Sequence, residues 1–343
     1  MKTFKKTSSA LLRLTIGLAI IAYLFHKIDM ASVGAVSGES LNQWPWLLAA
    51  ILLLFLCLCI GAVRWGIILD AQDLRMSWVR TSAVYFIGHF FNSFMFGATG
   101  GDVVRAYYAT KETHHKKTEA VATVIIDRVI GMIVLFLIAG VMLIVKARFY
   151  LDHPKTHIPV LVMLIMIAAG TAGVVFIFNF NRFKDWLIFR WITNSPKMGP
   201  TVRRLAMAFD LYRRRTSVLI ATALLSAGNH TFIVLICYCL GRSLQIHLQI
   251  IDYLAVIPMV MCVAAVPITP GGLGLREGLS VALLGAMGVG SAQALALALM
   301  LYAIMLGWSL VGGIIFLGYS ASSGHTIHEE MLELRHEAAG DNG

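Results

Sequence analysis

Charge is what this chain has least of. Only 13% of its 343 residues are Asp, Glu, Lys or Arg, against roughly 25% in an ordinary soluble domain. Hydrophobic residues make up 58%, and the mean hydropathy is +0.78. So few charges cannot cover a water-solvated surface, so lipid must solvate most of the chain. Acidic residues are scarcer than basic ones, 18 against 28. In a membrane protein that imbalance is a topology signal, which excludes nucleic acid as a partner. The five cysteines (Cys57, Cys59, Cys237, Cys239 and Cys262) all lie in apolar runs. The two Cys-x-Cys pairs make no chelating face, because helical residues two apart point about 200° apart; packing is their expected role, and no metal is expected. No P-loop, nucleophile elbow, zincin helix or dinucleotide fingerprint is present, so neither catalytic residues nor a cofactor are expected.

What the sequence has is length of apolar run. Crossing a ~30 Å hydrocarbon core takes about 20 residues. Runs of that order lie near 11–25, 46–69, 120–145, 158–180, 218–240 and 294–317. Lys2, Lys5 and Lys6 precede the first run in the manner of a signal peptide; with no small-residue cleavage site it reads as a retained first helix. Arg64, Arg75 and Arg80 sit at or after the end of the second run, and 181–216 is strongly basic, interleaved with Phe183, Trp186, Phe189 and Trp191. The positive-inside rule then puts the N-terminus, this basic interfacial segment and the polar tail 321–343 in the cytoplasm. The expected fold is an all-α integral membrane protein whose single polytopic domain covers 1–320, with about six full transmembrane helices.

Two further apolar stretches are broken, near 79–110 and 252–289. The first carries His89 and Asn92 and runs into Gly100-Gly101-Asp102; the second is interrupted by Pro267, Pro270, Gly271 and Gly272. Both read G-G-x-x-x-R, ending at Arg105 and Arg276, and they stand 171 positions apart (100 against 271). Basic residues on both flanks of the first stretch require it to enter and return. The expectation is two re-entrant hairpins of half-helices broken at the glycine pairs. Three full crossings lie between them, so they open to opposite sides as an inverted repeat, with substrate held where the broken helices meet. A half-helix starting after Gly-Gly aims free N–H groups and a positive dipole end into the gap. With Arg105 and Arg276 one turn further on, Gly100, Gly101, Gly271 and Gly272 would frame an anion pocket. The alternative is internal pairing, Arg105 with Asp102 and Arg276 with Glu277. Asp127 and Arg128, charged and two turns inside the third crossing, pair structurally or serve gating or ion coupling. His89, Asn92, Asn229 and His230 are polar at membrane depth and either line a cavity or bond helix to helix.

The stretch from Phe91 to Tyr107 (FNSFMFGATGGDVVRAY), IIDRVIG from Ile125 to Gly131 and PITPGGLGLREG from Pro267 to Gly278 resemble, in that order, the flippase-like membrane domain of lysylphosphatidylglycerol synthetases and of stand-alone bacterial proteins. The resemblance implies movement of a lipid headgroup across the bacterial cytoplasmic (inner) membrane, with Asp102, Arg105, Asp127, Arg128, Arg276 and Glu277 at the motif positions. The implied partners are membrane lipids with anionic headgroups; a separate lipid or glycan synthase and a homodimer are compatible with it. No aminoacyl-transferring domain follows the last run, so synthesis of aminoacyl-lipid is not expected. Two other readings stay open. One is an intramembrane transferase using Asp102, Asp127 or His89 as base; the other is a non-transporting scaffold that recruits a synthase through the basic segment.

Overall fold

The computed structural model describes residues 15, 18–94, 100–112, 117–178, 211–212, 214–265, 269 and 272–322. Most of the first apolar run, Gly271, nearly all of the basic segment and the tail beyond Ser322 lie outside them. Five helical runs among the described residues are long and apolar enough to cross a membrane: Met30–Ala71, Thr118–Val145, Pro154–Gly173, Thr216–Ser243 and Ser291–Tyr319. They match the second to sixth runs expected from the sequence. The first run is described only as α1, Leu18–Lys27.

After α1 come α2 (Met30–Glu39), started by Asp29 accepting from the Ala31 and Ser32 amides, and a 3-10 turn, Ser40–Gln43, leading into α3 (Trp44–Ala71). Then follow α4 (Trp78–Phe94), α5 (Gly100–Glu112), α6 (Lys117–Val145), the short α7 (Ala147–Asp152) and α8 (Pro154–Phe178). Beyond the basic segment lie α9 (Thr216–Ser243), α10 (Ile250–Ala264), α11 (Leu275–Ala286) and α12 (Ser291–Ser322). At ~1.5 Å per residue, α3, α6, α9 and α12 each exceed the ~30 Å core, whereas α4, α5, α10 and α11 fall short of it.

The order long, short, short, long therefore occurs twice. α9 begins and ends 172 positions after α3 does, 216 against 44 and 243 against 71. The two helices also stop in the same way. Asp73 and Gln245 take the left-handed conformation, at φ 55° and 58°. The next amides then fold back, Leu74 N to Leu69 O at 3.1 Å and Ile246 N to Gly241 O at 2.8 Å. Such a reversal satisfies carbonyls that the helix end would otherwise leave open in an apolar medium.

Side-chain contacts fix the directions. Trp46 meets Tyr238 edge to face, Cys57 Sγ reaches the Asn229 carbonyl and Arg64 reaches Ser226, so α3 and α9 run antiparallel. Trp65 bonds Thr123, which brings the start of α6 to the Ala71 end of α3. At the other end Gln293 donates to the Leu244 carbonyl and Lys146 pairs with Asp252 at 2.8 Å. The α4–α5 pair therefore leaves and returns at one end of the bundle, and the α10–α11 pair at the other. α4 and α5 touch backbone to backbone: a Cβ on Gly101 would overlap the Gly88 carbonyl. With no hydrophobic force between helices in lipid, such close approach supplies the packing.

One sequence expectation is corrected here. The first break does not fall at Gly100-Gly101, because both glycines are already the first residues of α5. Residues 95–99, between α4 and α5 in the chain, lie outside the described residues. A glycine at a helix start leaves room for the neighbouring helix while its amide finds a partner elsewhere: Gly101 N donates to Asn92 Oδ1 at 3.0 Å.

Candidate functional site

The polar residues of the first half converge at the contact of α3, α5, α6 and α9. Asp127 on α6 is 1% exposed and accepts from two arginines: Arg64 Nε at 2.7 Å on one oxygen and Arg105 at 3.0 Å on the other. Arg64 spends a second nitrogen on Ser226 Oγ at 2.8 Å. The Arg105 guanidinium lies between two rings, 4.5 Å from the Trp65 centroid and 4.8 Å from that of Tyr85. Its stem crosses Gly88, where a Cβ would come within 2.6 Å of Cγ. Asp102, in the first turn of α5, is 3.6 Å from Arg105 and takes a two-pronged contact from Arg128 at 2.8 and 3.1 Å.

An unpaired charge at bilayer depth costs at least ~2.5 kcal/mol even on lenient insertion scales, which is why these groups gather instead of scattering. Two stacked rings add about 1–2 kcal/mol for a desolvated guanidinium. Among the described residues the cluster is nonetheless unbalanced: Arg64, Arg105 and Arg128 face Asp102 and Asp127, leaving one positive charge in excess. Arg105 Nε is buried without a hydrogen-bond partner, while the Arg128 side chain is 49% exposed.

Asn229 and His230 flank this cluster on α9, one turn beyond Ser226. His230 Nε2 donates to the Gly131 carbonyl at 3.0 Å, and its Nδ1, like Asn229 Oδ1, is buried with no partner. His89 lies apart, with Nε2 3.3 Å from the Met305 carbonyl on α12.

The second half is arranged differently. Gly274 takes φ 81°, which a glycine adopts without strain, and its amide donates to Glu277 Oε2 at 2.6 Å, starting α11. Glu277 is 3% exposed and so serves first as a helix cap. Arg276 Nε stands 3.8 Å from Glu277 Oε1, and the guanidinium lies 5.8 Å from the Tyr302 ring and 3.8 Å from Met305 Sδ. Met305 thus links the two hairpins, His89 on its carbonyl and Arg276 on its sulfur. Of the glycines expected to frame a pocket, Gly100 and Gly101 are built into α5 and Gly272 packs on Ala264.

Sequence reasoning missed Arg64, placing it with Arg75 and Arg80 at the end of a crossing. It lies well inside α3, which runs to Ala71, and anchors the cluster. The signal was available: in IGAVRWGIIL this arginine has apolar neighbours on both sides, as no membrane-edge arginine needs. Ser226, Trp65 and Tyr85 carried no such signal. Among the described residues no three His, Cys, Asp or Glu side chains group in a way that could hold a metal.

Comparison with known proteins finds other membrane proteins. A UPF0104 membrane protein from Pyrococcus horikoshii is 27% identical over 297 residues, covering 79% of this chain and 86% of that protein. A UPF0104 membrane protein from Methanothermobacter thermautotrophicus is 24% identical over 295 residues, covering 80% and 83%. No solved structure matches the chain. The model of the lysylphosphatidylglycerol synthase TM region matches residues 10–312, a stretch that includes every charged residue of both hairpins, and the chain belongs to that family of membrane proteins.

Proposed function

We propose that this protein moves an anionic lipid headgroup across the cytoplasmic membrane, acyl chains staying in the bilayer, through a cavity between two re-entrant hairpins. The observation that carries the proposal is the charge imbalance at depth: three guanidiniums against two carboxylates, with Arg128 only half covered. An excess cation inside an apolar bundle is unfavourable until an anion joins it, and a phosphate accepts a guanidinium fork. Arg276, 20% exposed at its side chain, offers a second station on the other hairpin.

The topology in this proposal is an inverted repeat. Short helices enter from opposite ends of the bundle, with the full crossings α6, α8 and α9 between them. Arg75 and Arg80 follow α3 while Arg214 and Arg215 precede α9; these ends lie together, and the positive-inside rule makes that end cytoplasmic. Both termini are then cytoplasmic, with α1 completing a sixth crossing. We read the chain as a transporter without catalysis: Asp102 and Asp127 are held by arginines and make poor bases, and the His89 N–H is committed to a carbonyl.

The test is headgroup exposure in proteoliposomes carrying a panel of labelled phospholipids and a polyprenyl phosphate. Arg128→Gln and Arg276→Gln are expected to lower exchange of one lipid class by about tenfold each, the value of a charged hydrogen bond. Wild-type rates in the folded double variant would sink the proposal.

A further inference from the structure

At the end of the bundle away from Arg75 and Arg215 lies a cavity of about 230 Å³, lined by Gln43, Trp46, Arg242, Gln245, Ile246 and His247. It is separate from the central cluster, and the mechanism above makes no use of it. Arg242 is in the last turn of α9, its guanidinium 5.8 Å from the centroid of the Trp46 ring. Among the described residues its guanidinium makes no hydrogen bond or ion pair, and no carboxylate lines the cavity. Gln43 is the N-cap residue of α3, yet its side chain caps nothing. Donors from an arginine, two amides and an imidazole therefore surround one small space.

The helix end alone explains only part of this. A cation near the C-terminus of α9 complements the helix dipole, but that effect asks for one charge and no ring of donors. The internal repeat supplies a control. In the equivalent corner after α3, with the same left-handed residue and the same returning amide, positions 70 and 73 are Asp70 and Asp73 where α9 has Arg242 and Gln245. The backbone accepts either sign of charge, so the positive lining at the α9 corner is a property of its side chains.

We infer that the Gln43–Trp46–Arg242–Gln245–His247 corner binds a phosphate group at the membrane face opposite the basic end. Trp46 holds the guanidinium plane, the two NH₂ groups fork onto phosphate oxygens, and the amides and imidazole take the remaining lone pairs. Trp44, 62% exposed beside it, is of the residue type that settles at headgroup depth. The phosphate can come from a lipid headgroup or from free phosphate. Binding here needs no translocation, so it stands or falls independently of the transport proposal.

The experiment uses the delipidated full chain in maltoside, titrated with phosphatidylglycerol and followed by native mass spectrometry and Trp fluorescence. An Arg128→Gln/Arg276→Gln background weakens lipid binding at both stations of the proposed transport path, so that the remaining binding reports on this corner. Arg242→Gln is expected to weaken lipid affinity about tenfold, with Arg242→Lys between the two because it keeps charge but loses the fork. Displacement by millimolar inorganic phosphate would identify a free-phosphate site; retention against it would identify a lipid site. Unchanged affinity in folded Arg242→Gln overturns the inference. Should that variant fail to fold, Gln43→Leu and His247→Ala decide: a severalfold loss in both supports the site, and wild-type affinity in both overturns it.

Discussion

The two hairpins carry the same G-G-x-x-x-R pattern and use it in opposite ways. In the first, Arg105 is closed in, stacked between Trp65 and Tyr85 and paired with Asp127, a residue from another helix 22 positions on. In the second, Arg276 has its near carboxylate on the adjacent residue, and that carboxylate is already the cap of α11. The first arginine is built into a cross-helix network, while the second leans on a ring and a thioether. An identical local motif therefore gives a buried structural tie in one half and a more open cation in the other, with side-chain exposures of 5% and 20%. What differs is the partner helix, α6 with Asp127 in one half and α12 with Tyr302 and Met305 in the other.

The largest effect should come from removing the tie. Asp127→Asn leaves Arg64 and Arg105 buried without their shared counter-charge and should cost about 3–5 kcal/mol, lowering thermal stability in detergent far more than Glu277→Gln, which loses one charged hydrogen bond of about 1.5–3 kcal/mol. Equal losses in the two variants would break the contrast between the hairpins.

A second comparison is steric. Gly101→Ala would drive a methyl into the Gly88 carbonyl, and overpacking of this kind costs about 1–3 kcal/mol. Gly272→Ala meets Ala264 at 3.2 Å with φ 75°, where the left-handed conformation costs an L-residue about 1–2 kcal/mol. Gly101→Ala should also slow lipid exchange through the displaced Arg105, an effect to be read in proteoliposomes alongside melting.

The smallest effect lies outside both hairpins and sharpens the contrast with the buried acids. The Asp29 carboxylate is held below the usual carboxylate range by the Ser32 hydroxyl and the Ala31 amide. With the folded value depressed, its contribution to α2 is full above an ordinary carboxylate value of about 4 and is lost as pH falls through the lower folded one. Amide exchange in the first turn of α2 should rise only under those acidic conditions, and Asp29→Asn should remove the pH dependence.

Much of this was legible in advance, for a physical reason. The five long runs coincide with α3, α6, α8, α9 and α12 to within a few residues, because lipid penalises each misplaced polar group separately and writes the span into composition. Asp102, Arg105, Asp127 and Arg128 could be singled out because a charge in an apolar run needs a reason to be there. Their pairing could not. Arg128 could face Asp102 or its own neighbour Asp127, and only the rotation of α6 against α5 gives Asp127 to Arg64 and Arg105 instead. The first break was misplaced because a Gly-Gly pair reads equally as a gap or as the thin start of a helix, and Gly88 across the contact selects the second.

The sequence by itself determined a membrane-solvated, all-helical chain with two interrupted segments and buried charge, since hydropathy and charge cost are summed residue by residue. Only the tertiary structure decided which carboxylate neutralises which arginine and that Arg64 belongs to the cluster. It alone brought Gln43 and Trp46 to Arg242, Gln245 and His247 at the α9 corner. Apart from the short run 242–247 itself, those are contacts across tens to hundreds of positions, set by helix rotation and close packing, and no local pattern encodes them.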